Sequence, residues 1–232
     1  MKVSFPHPGN RGEASALRRF AGRGAVRLLD ADEEHFALLL ERAGPRTLAE
    51  VCSEDEVVEF AGELARRLAV RAEPGTPRLA GTTDGWSEQL GQQVAARPGL
   101  LSAAVVRRAG ATIAELGRDP TVTMLHGDLH AGNVLAGGRE RWLAIDPKGW
   151  EGTAAYDAFT VVVGHPAELV GCPDLPRAIR ARVRRFAGAA GVDNDLALAC
   201  CQARATSALL YQDIAGGDWF GRDLIAAIAE LR

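Results

Sequence analysis

The chain has 232 residues, 47% of them hydrophobic and 25% charged, which excludes a disordered, collagenous or coiled-coil protein. Thirty acids against 27 bases leave a formal charge of −3 and argue against a nucleic-acid binder driven by bulk charge. No apolar run approaches the ~18 residues of a membrane span, and Met1 to Pro8 lacks the apolar stretch of a signal peptide. A cytoplasmic protein with one large domain, or two lobes sharing a cleft, is expected.

In chain order, Glu13 to Phe20 reads as a short helix after the breaker Pro8-Gly9-Asn10, and Ala37 to Leu40 as a short buried strand that ends before Gly44-Pro45. Ser53-Glu54-Asp55-Glu56 has the pattern of a capping box, and Val57, Phe60, Ala61, Leu64 and Leu68 follow at helical spacing. The Pro- and Gly-rich stretch from Ala72 to Gly85 is the candidate internal linker or long loop. Helical patterns resume through Leu90 and Val94, and again from Leu101 to Leu116. Three β-like runs with Gly-rich turns follow, at Thr123 to Leu125, Asn133 to Leu135 and Trp142 to Ile145. Beyond Ala154 the pattern is helical to Arg232. Five arginines between Arg177 and Arg185 read as a solvated helix face. The four cysteines, 52, 172, 200 and 201, have no C-x-x-C spacing, and Cys200-Cys201 in an Ala-rich helical stretch reads as buried free thiols.

The segment His126-Gly127-Asp128-Leu129-His130-Ala131-Gly132-Asn133-Val134-Leu135 carries the chemistry. An aspartate follows one apolar strand, an asparagine comes five residues later, and Asp146 ends the next strand in Ala144-Ile145-Asp146-Pro147. Two carboxylates and an amide at strand ends can converge on one cleft. One carboxylate can accept a proton from a hydroxyl while the other groups offer hard oxygen ligands to Mg²⁺. Asp128 and Asn133 are also ordinary turn residues, but the whole H-G-D-x-x-x-x-N followed by I-D-P at strand spacing favours phosphoryl transfer.

These residues, H-G-D-L-H-A-G-N-V-L and A-I-D-P-K-G, resemble the catalytic and metal-binding loops of the aminoglycoside phosphotransferase family. Gly24 to Asp32, Leu38 to Arg42 and Ile145 to Gly149 are similar to its streptomycin 6-phosphotransferase and hydroxyurea-resistance branch. The likeness runs from about residue 2 to the C-terminus.

The resemblance implies an α+β, bilobal protein-kinase-like fold: a partial N-terminal lobe over 1–43, a hinge near 40–45, and a mainly helical C-terminal lobe over 44–232. It implies an ATP- and Mg²⁺-dependent kinase of a small molecule, a cationic aminoglycoside, with streptomycin at its 6-hydroxyl as the best acceptor. No nucleic-acid or membrane partner is implied. Position by position, Asp128 would be the catalytic base and Asn133 and Asp146 the Mg²⁺ ligands. His126 would buttress the loop, and Asp157 would brace it or act as a helix N-terminal charge. Lys2 and Glu13 would form the ion pair that holds the α- and β-phosphates. The carbonyl of Leu40 and the amide of Arg42 would take adenine.

For the acceptor, Asp213 and Asp218 stand in an acidic tail with Trp219 and Phe220, where an aromatic face could lie against a sugar or guanidinium group; a solvated acidic helix is the plainer alternative. Trp86 and Trp150 read as core or rim packing and Trp142 as core. The family's glycine-rich hairpin precedes its lysine strand. With the lysine at residue 2, the small-lobe sheet is expected to lose two strands and expose an edge. The rival readings are a kinase for another hydroxylated metabolite or hydroxyurea, and an inactive remnant that binds only nucleotide or a partner.

Overall fold

The structure is a computed structural model that describes residues 1–169 and 171–231; Arg232, the last basic residue of the tail, lies outside them. The chain opens with β1 (Lys2–Val3), α1 (Glu13–Phe20), β2 (Leu28–Asp32) and β3 (Ala37–Leu40). The three strands form an antiparallel sheet in the order β1-β3-β2, with Lys2 opposite Leu38 and Leu28 opposite Leu40. The strand at Ala37 to Leu40 forms where the apolar run predicts it, but it is not a buried one. The pleat sends alternate side chains to opposite faces, so Leu38 enters the core while Leu39 is 47% exposed. Val3 and Leu29 are exposed as well.

Helix α1 buries Ala14, Leu17 and Phe20 and, unusually for a carboxylate, Glu13. Past it, the amide of Val26 donates to the Ala144 carbonyl (3.0 Å) and the Ala144 amide to the Gly24 carbonyl (2.8 Å). Two backbone bonds therefore hold the small sheet against the loops described below.

Then come α2 (Leu48–Val51) and α3 (Glu54–Leu68). The predicted capping box is present: the Glu56 amide reaches Ser53 Oγ (3.4 Å) and the Ser53 amide reaches Glu56 Oε2 (3.0 Å). Val57, Ala61, Leu64 and Leu68 are buried along one face, and Phe60 at its margin lies under the Arg141 guanidinium, 4.9 Å away.

The stretch expected as a linker or long loop is a loop as far as Arg78, strapped down rather than free. Ala72 N–H donates to Val122 (2.9 Å), Glu151 N–H donates to Pro77 (2.8 Å), and Leu79 is buried. Helix α4 (Thr83–Ala96) begins inside it, and α5 (Ala103–Leu116) follows. Prolines and glycines shape the path of this segment, but its Pro77 carbonyl and its one leucine are tied into the body.

The middle of the chain builds β4 (Met124–Leu125), β5 (Val134–Ala136), β6 (Trp142–Ala144) and β7 (Trp150–Glu151), paired as β4-β7 and β5-β6. Four helices close the chain: α6 (Ala158–Val163), α7 (Leu175–Ala190), α8 (Asn194–Ala215) and α9 (Arg222–Glu230). Helix α8 is rich in alanine and buries Ala197, Cys200, Cys201, Ala203 and Ala205, so α5, α6 and α9 can all pack closely on it. Both thiols are free, and burial raises their pKa, that of Cys200 to about 12.

The arginine run on α7 is not uniformly solvated. Arg182 is buried, pairs with the buried Glu54 at the start of α3, and donates to the His165 carbonyl (3.0 Å). Its burial lowers the pKa to about 10. An isolated buried charge is costly, and this pairing offsets that cost while locking α7 to α3. Among the described residues, no helix is long and apolar enough to cross a membrane.

Candidate active site

The loop from His126 to Asn133 connects β4 to β5, and its shape is set from below by two buried side chains. Asp157 is fully buried and accepts hydrogen bonds from the amides of His126 (3.1 Å) and Gly127 (2.8 Å). It stands at the N-terminal end of α6 yet makes no side-chain cap there, so its carboxylate serves the loop. Burial pushes its pKa up to about 6 against the pull of Arg204 and these amides. His126 is also buried. Its Nε2 lies 2.9 Å from the Ile145 carbonyl and its Nδ1 accepts from the Asp128 amide at 3.3 Å, a pattern that calls for the neutral ring protonated at Nε2. Burial lowers its pKa to about 4, consistent with that neutral state.

Asn133 ends a 3-10 turn over Ala131–Asn133. Its Nδ2 donates to the Asp128 carbonyl (3.0 Å), and its own carbonyl accepts from the Ile145 amide (2.9 Å). The amide oxygen is thereby left as the side chain's acceptor. His130 turns back on the same loop, its Nδ1 accepting from the Gly132 amide (3.2 Å).

Asp146 follows β6 and takes a left-handed backbone conformation, φ +63°, rare for a residue with a side chain. The turn that enforces it is tightly packed. The Lys148 amide donates to the His126 carbonyl (2.7 Å). A Cβ on Gly149 would stand 2.3 Å from the Gly12 carbonyl oxygen, and one on Gly12 would stand 2.2 Å from that of Lys148. Two glycines thus let the turn touch the start of α1 backbone to backbone, next to Glu13.

On this frame Lys2, from β1, reaches Glu13 at 2.7 Å and also bonds Asp146. Burial drives the Glu13 carboxyl upward. For Asp146, one third exposed, burial is the largest influence and pulls the same way, but the hydrogen bond and charge of Lys2 together with the charge of Lys148 outweigh it and the pKa falls. Burial likewise opposes the charge on Lys2, and its bonds to Asp146 and Glu13 hold its pKa above the ordinary value.

Two cavities flank these groups. The smaller, about 300 Å³, is lined by Lys2, Val26, Leu40, Ala43, Ile145 and Asp146 among others. The larger, about 930 Å³, is lined by Asp128, His130, Asp218, Trp219 and Phe220 among others. Leu40 therefore borders the small cavity, whereas Arg42 is not among its lining residues. Asp218 borders the large one, and Asp213 does not: it is clamped between Arg97 (2.6 Å) and Arg222 (2.5 Å). Trp142 is buried; Trp86 donates to Ser207 Oγ (2.7 Å), and Trp150 meets Tyr156 edge to face.

Two residues at the site went unassigned from sequence. Lys148 places its ammonium 3.4 Å from Asp128 Oδ2 and 3.8 Å from Asp146 Oδ2, between the two carboxylates. Arg204 lies 4.2 Å over the Tyr156 ring, donates to the Tyr156 carbonyl (3.1 Å) and borders the large cavity. A lone charge in the otherwise uncharged, Ala-rich ACCQARATSALL of α8 is the signal that could have found it. Among the described residues no three His, Cys, Asp or Glu side chains gather around a metal position. A carboxylate and an amide oxygen alone suit Mg²⁺, which takes few protein ligands and fills its shell with water and substrate phosphate.

The fold is that of kinase-like small-molecule phosphotransferases. An aminoglycoside phosphotransferase from Streptomyces rimosus, solved in complex with ADP and streptomycin, superposes with a TM-score of 0.55 at 16% identity, over 86% of this chain and 81% of that one. A profile of the aminoglycoside/hydroxyurea antibiotic resistance kinases matches residues 5–213, and the chain belongs to that family. It is similar to a streptomycin 6-kinase of Streptomyces glaucescens, 34% identical over 83% of this chain and 64% of that protein. It is also similar to a hydroxyurea phosphotransferase of Kitasatospora aureofaciens, 37% identical over 91% of this chain and 61% of that protein. The chain thus spans less than two thirds of the length of these curated relatives.

Proposed function

We propose that this protein is an ATP- and Mg²⁺-dependent O-phosphotransferase acting on an aminoglycoside, with the 6-hydroxyl of streptomycin as acceptor. The observation that carries this reading is the placement of Asp128 on the large cavity and of Asp146 and Lys2 on the small one, with one lysine ammonium between the two carboxylates. The small cavity takes the nucleotide and the large one the acceptor, so the boundary between lobes falls near residue 43.

In this reading Lys2, steadied by Glu13, holds the α- and β-phosphates, and the Leu40 carbonyl binds adenine; Arg42, which does not line the small cavity, takes no part. Asp128 orients the acceptor hydroxyl and takes its proton, while His126 and Asp157 keep the loop that bears it in place. Asn133 and Asp146 would hold Mg²⁺, which when bound supplies positive charge against the phosphate oxygens. Positioning and electrostatics are nearly all that such a reaction asks of a protein.

The acceptor class follows from the large cavity. Its volume suits a ligand of drug size and far exceeds hydroxyurea, a handful of atoms. Arg222 on its wall is already paired with Asp213, and Arg204 is held against Tyr156. Among the described residues Asp218 and Asp223 meet no such arginine, Asp218 accepting only from Gln212 Nε2 (3.4 Å), and both line the cavity with Trp219, which is 58% exposed. Carboxylates beside an aromatic face favour a guanidinium-bearing sugar.

The test is ADP formation from Mg–ATP with streptomycin, a 2-deoxystreptamine aminoglycoside or hydroxyurea as acceptor, for wild type and Asp128→Ala. Streptomycin-dependent turnover that falls at least ~10²-fold in the variant is expected. Turnover with hydroxyurea alone would move the acceptor to the other branch of the family. No turnover with any acceptor, from protein that binds Mg–ATP, would overturn the proposal.

A further inference from the structure

Lys148 is bound up with every part of the site. Its stem packs where a side chain at position 127 would stand: a Cβ on Gly127, at φ +86°, would lie 2.9 Å from Lys148 Cβ and 3.1 Å from Cγ. Its amide is fixed to His126 (2.7 Å) and its carbonyl lies against Gly12. Backbone and stem are therefore immobilised on both sides, leaving the ammonium as the variable end. That end sits 3.4 Å from Asp128 and 3.8 Å from Asp146, looser than the 2.7 Å bond of Lys2 to Glu13.

The position is the one the transferring phosphoryl group must cross. On one side stands the carboxylate that takes the acceptor's proton, on the other the carboxylate at the nucleotide. We propose that Lys148 is a catalytic residue whose ammonium contacts the γ-phosphoryl group during transfer. This rests on the phosphotransferase reading above. In the step, the acceptor oxygen forms a bond to the γ-phosphorus and the bond from that phosphorus to the β-phosphate oxygen breaks. The electron pair leaves with ADP, the hydroxyl proton passes to Asp128, and Lys148 keeps its protons. Negative charge spread over the three equatorial oxygens is what a fixed cation there stabilises. Lys2, turned toward Glu13, is placed for the other phosphates, so the two lysines divide the triphosphate between them.

The plainer alternative is that Lys148 merely relieves repulsion between Asp128 and Asp146. The two roles separate on whether the γ-phosphate matters. In wild type, Lys148→Met and Lys148→Arg, affinities for ADP and for a non-hydrolysable ATP analogue are measured by calorimetry without Mg²⁺, alongside kcat and KM with Mg–ATP and streptomycin. The proposal expects Lys148→Met to weaken the ATP analogue about tenfold while leaving ADP unchanged. It expects kcat to fall about 10²-fold or more, with KM for streptomycin little moved, and Lys148→Arg to recover part of both losses. Equal weakening of both nucleotides, or no change in either, would overturn it. If Lys148→Met does not fold, Lys148→Arg and Lys148→Gln decide: a Gln variant that binds the ATP analogue like the Arg variant would overturn it. Wild type that binds neither nucleotide would instead defeat the phosphotransferase reading itself.

Discussion

His126 and Asp157 lie side by side under the loop that carries Asp128, and burial moves their titrations in opposite directions. The histidine falls from 6.5 to about 4 and the aspartate rises from 3.8 to about 6. A histidine held below its unfolded value stabilises the fold above pH 6.5, and that contribution is lost as pH falls toward 4. An aspartate held above its unfolded value does the reverse, losing its contribution as pH rises through 6. Each difference is worth about 3 kcal/mol, so between pH 4 and 6 the two offset each other. Asp157→Asn should remove one side of this balance. Its unfolding midpoint should then climb with pH across 4–6.5 more steeply than that of wild type, as measured by thermal denaturation in a buffer series. Parallel profiles would contradict the assignment. At this scale the sequence was informative where residues sit close along the chain. His126, Asp128, Asn133 and Asp146 fall within the short stretch from the end of β4 to just past β6, so their convergence follows from local geometry. Lys148 stands only two residues past Asp146, but the turn that aims its ammonium between the carboxylates is not written in that spacing, and the burial that tunes Asp157 depends on packing across the fold.

Elements meet at the site through backbone contacts that tolerate no side chain. The turn after Asp146 touches the start of α1 at Gly12 and Gly149, and Gly149 also needs its φ of +73°. Gly149→Ala should therefore push the turn off α1, separating Asp146 from the Lys2–Glu13 pair. A loss of about 1–3 kcal/mol in denaturant unfolding is expected, with weaker nucleotide binding. A variant equally stable and equally able to bind would show that the contact is dispensable. The capping box of α3 is of another kind, since S-x-x-E is written in adjacent residues and worth about 1 kcal/mol wherever it forms; it was legible from the start. The arginine run on α7 was legible only as helix. That Arg182 turns inward depends on Glu54, far away in sequence, waiting at the head of α3.

Across the whole molecule, a sheet-and-helix unit meets a helical body at the small cavity, while the large cavity lies within that body, lined by residues from Asp128 to Leu224, and each cavity has its own chemistry. The acceptor side is expected to read charge: Asp218→Asn should raise KM for streptomycin several-fold while kcat is little changed, because the group binds substrate without touching the reacting atoms. An unchanged KM would remove Asp218 from the acceptor site. The overall architecture followed from one motif of high specificity, while the segment around 72–85, readable as a linker or a long loop, is a loop tied down. Its glycines and prolines look like a linker, yet Leu79 and the backbone bonds to Val122 and Glu151 tie it into the body. Asp213 and Asp218, five positions apart in one acidic tail, could not be told apart until the arginines that clamp Asp213 were placed. The central claim, transfer of phosphate to a hydroxyl with Asp128 as base, is tested most directly by incubating the protein with Mg–ATP and streptomycin and analysing the antibiotic by mass spectrometry and phosphorus NMR. A streptomycin monophosphate esterified at the 6-hydroxyl, formed by wild type and absent with Asp128→Ala, is the predicted result. Unmodified streptomycin after prolonged incubation with nucleotide-binding protein, or equal product from the variant, would contradict it.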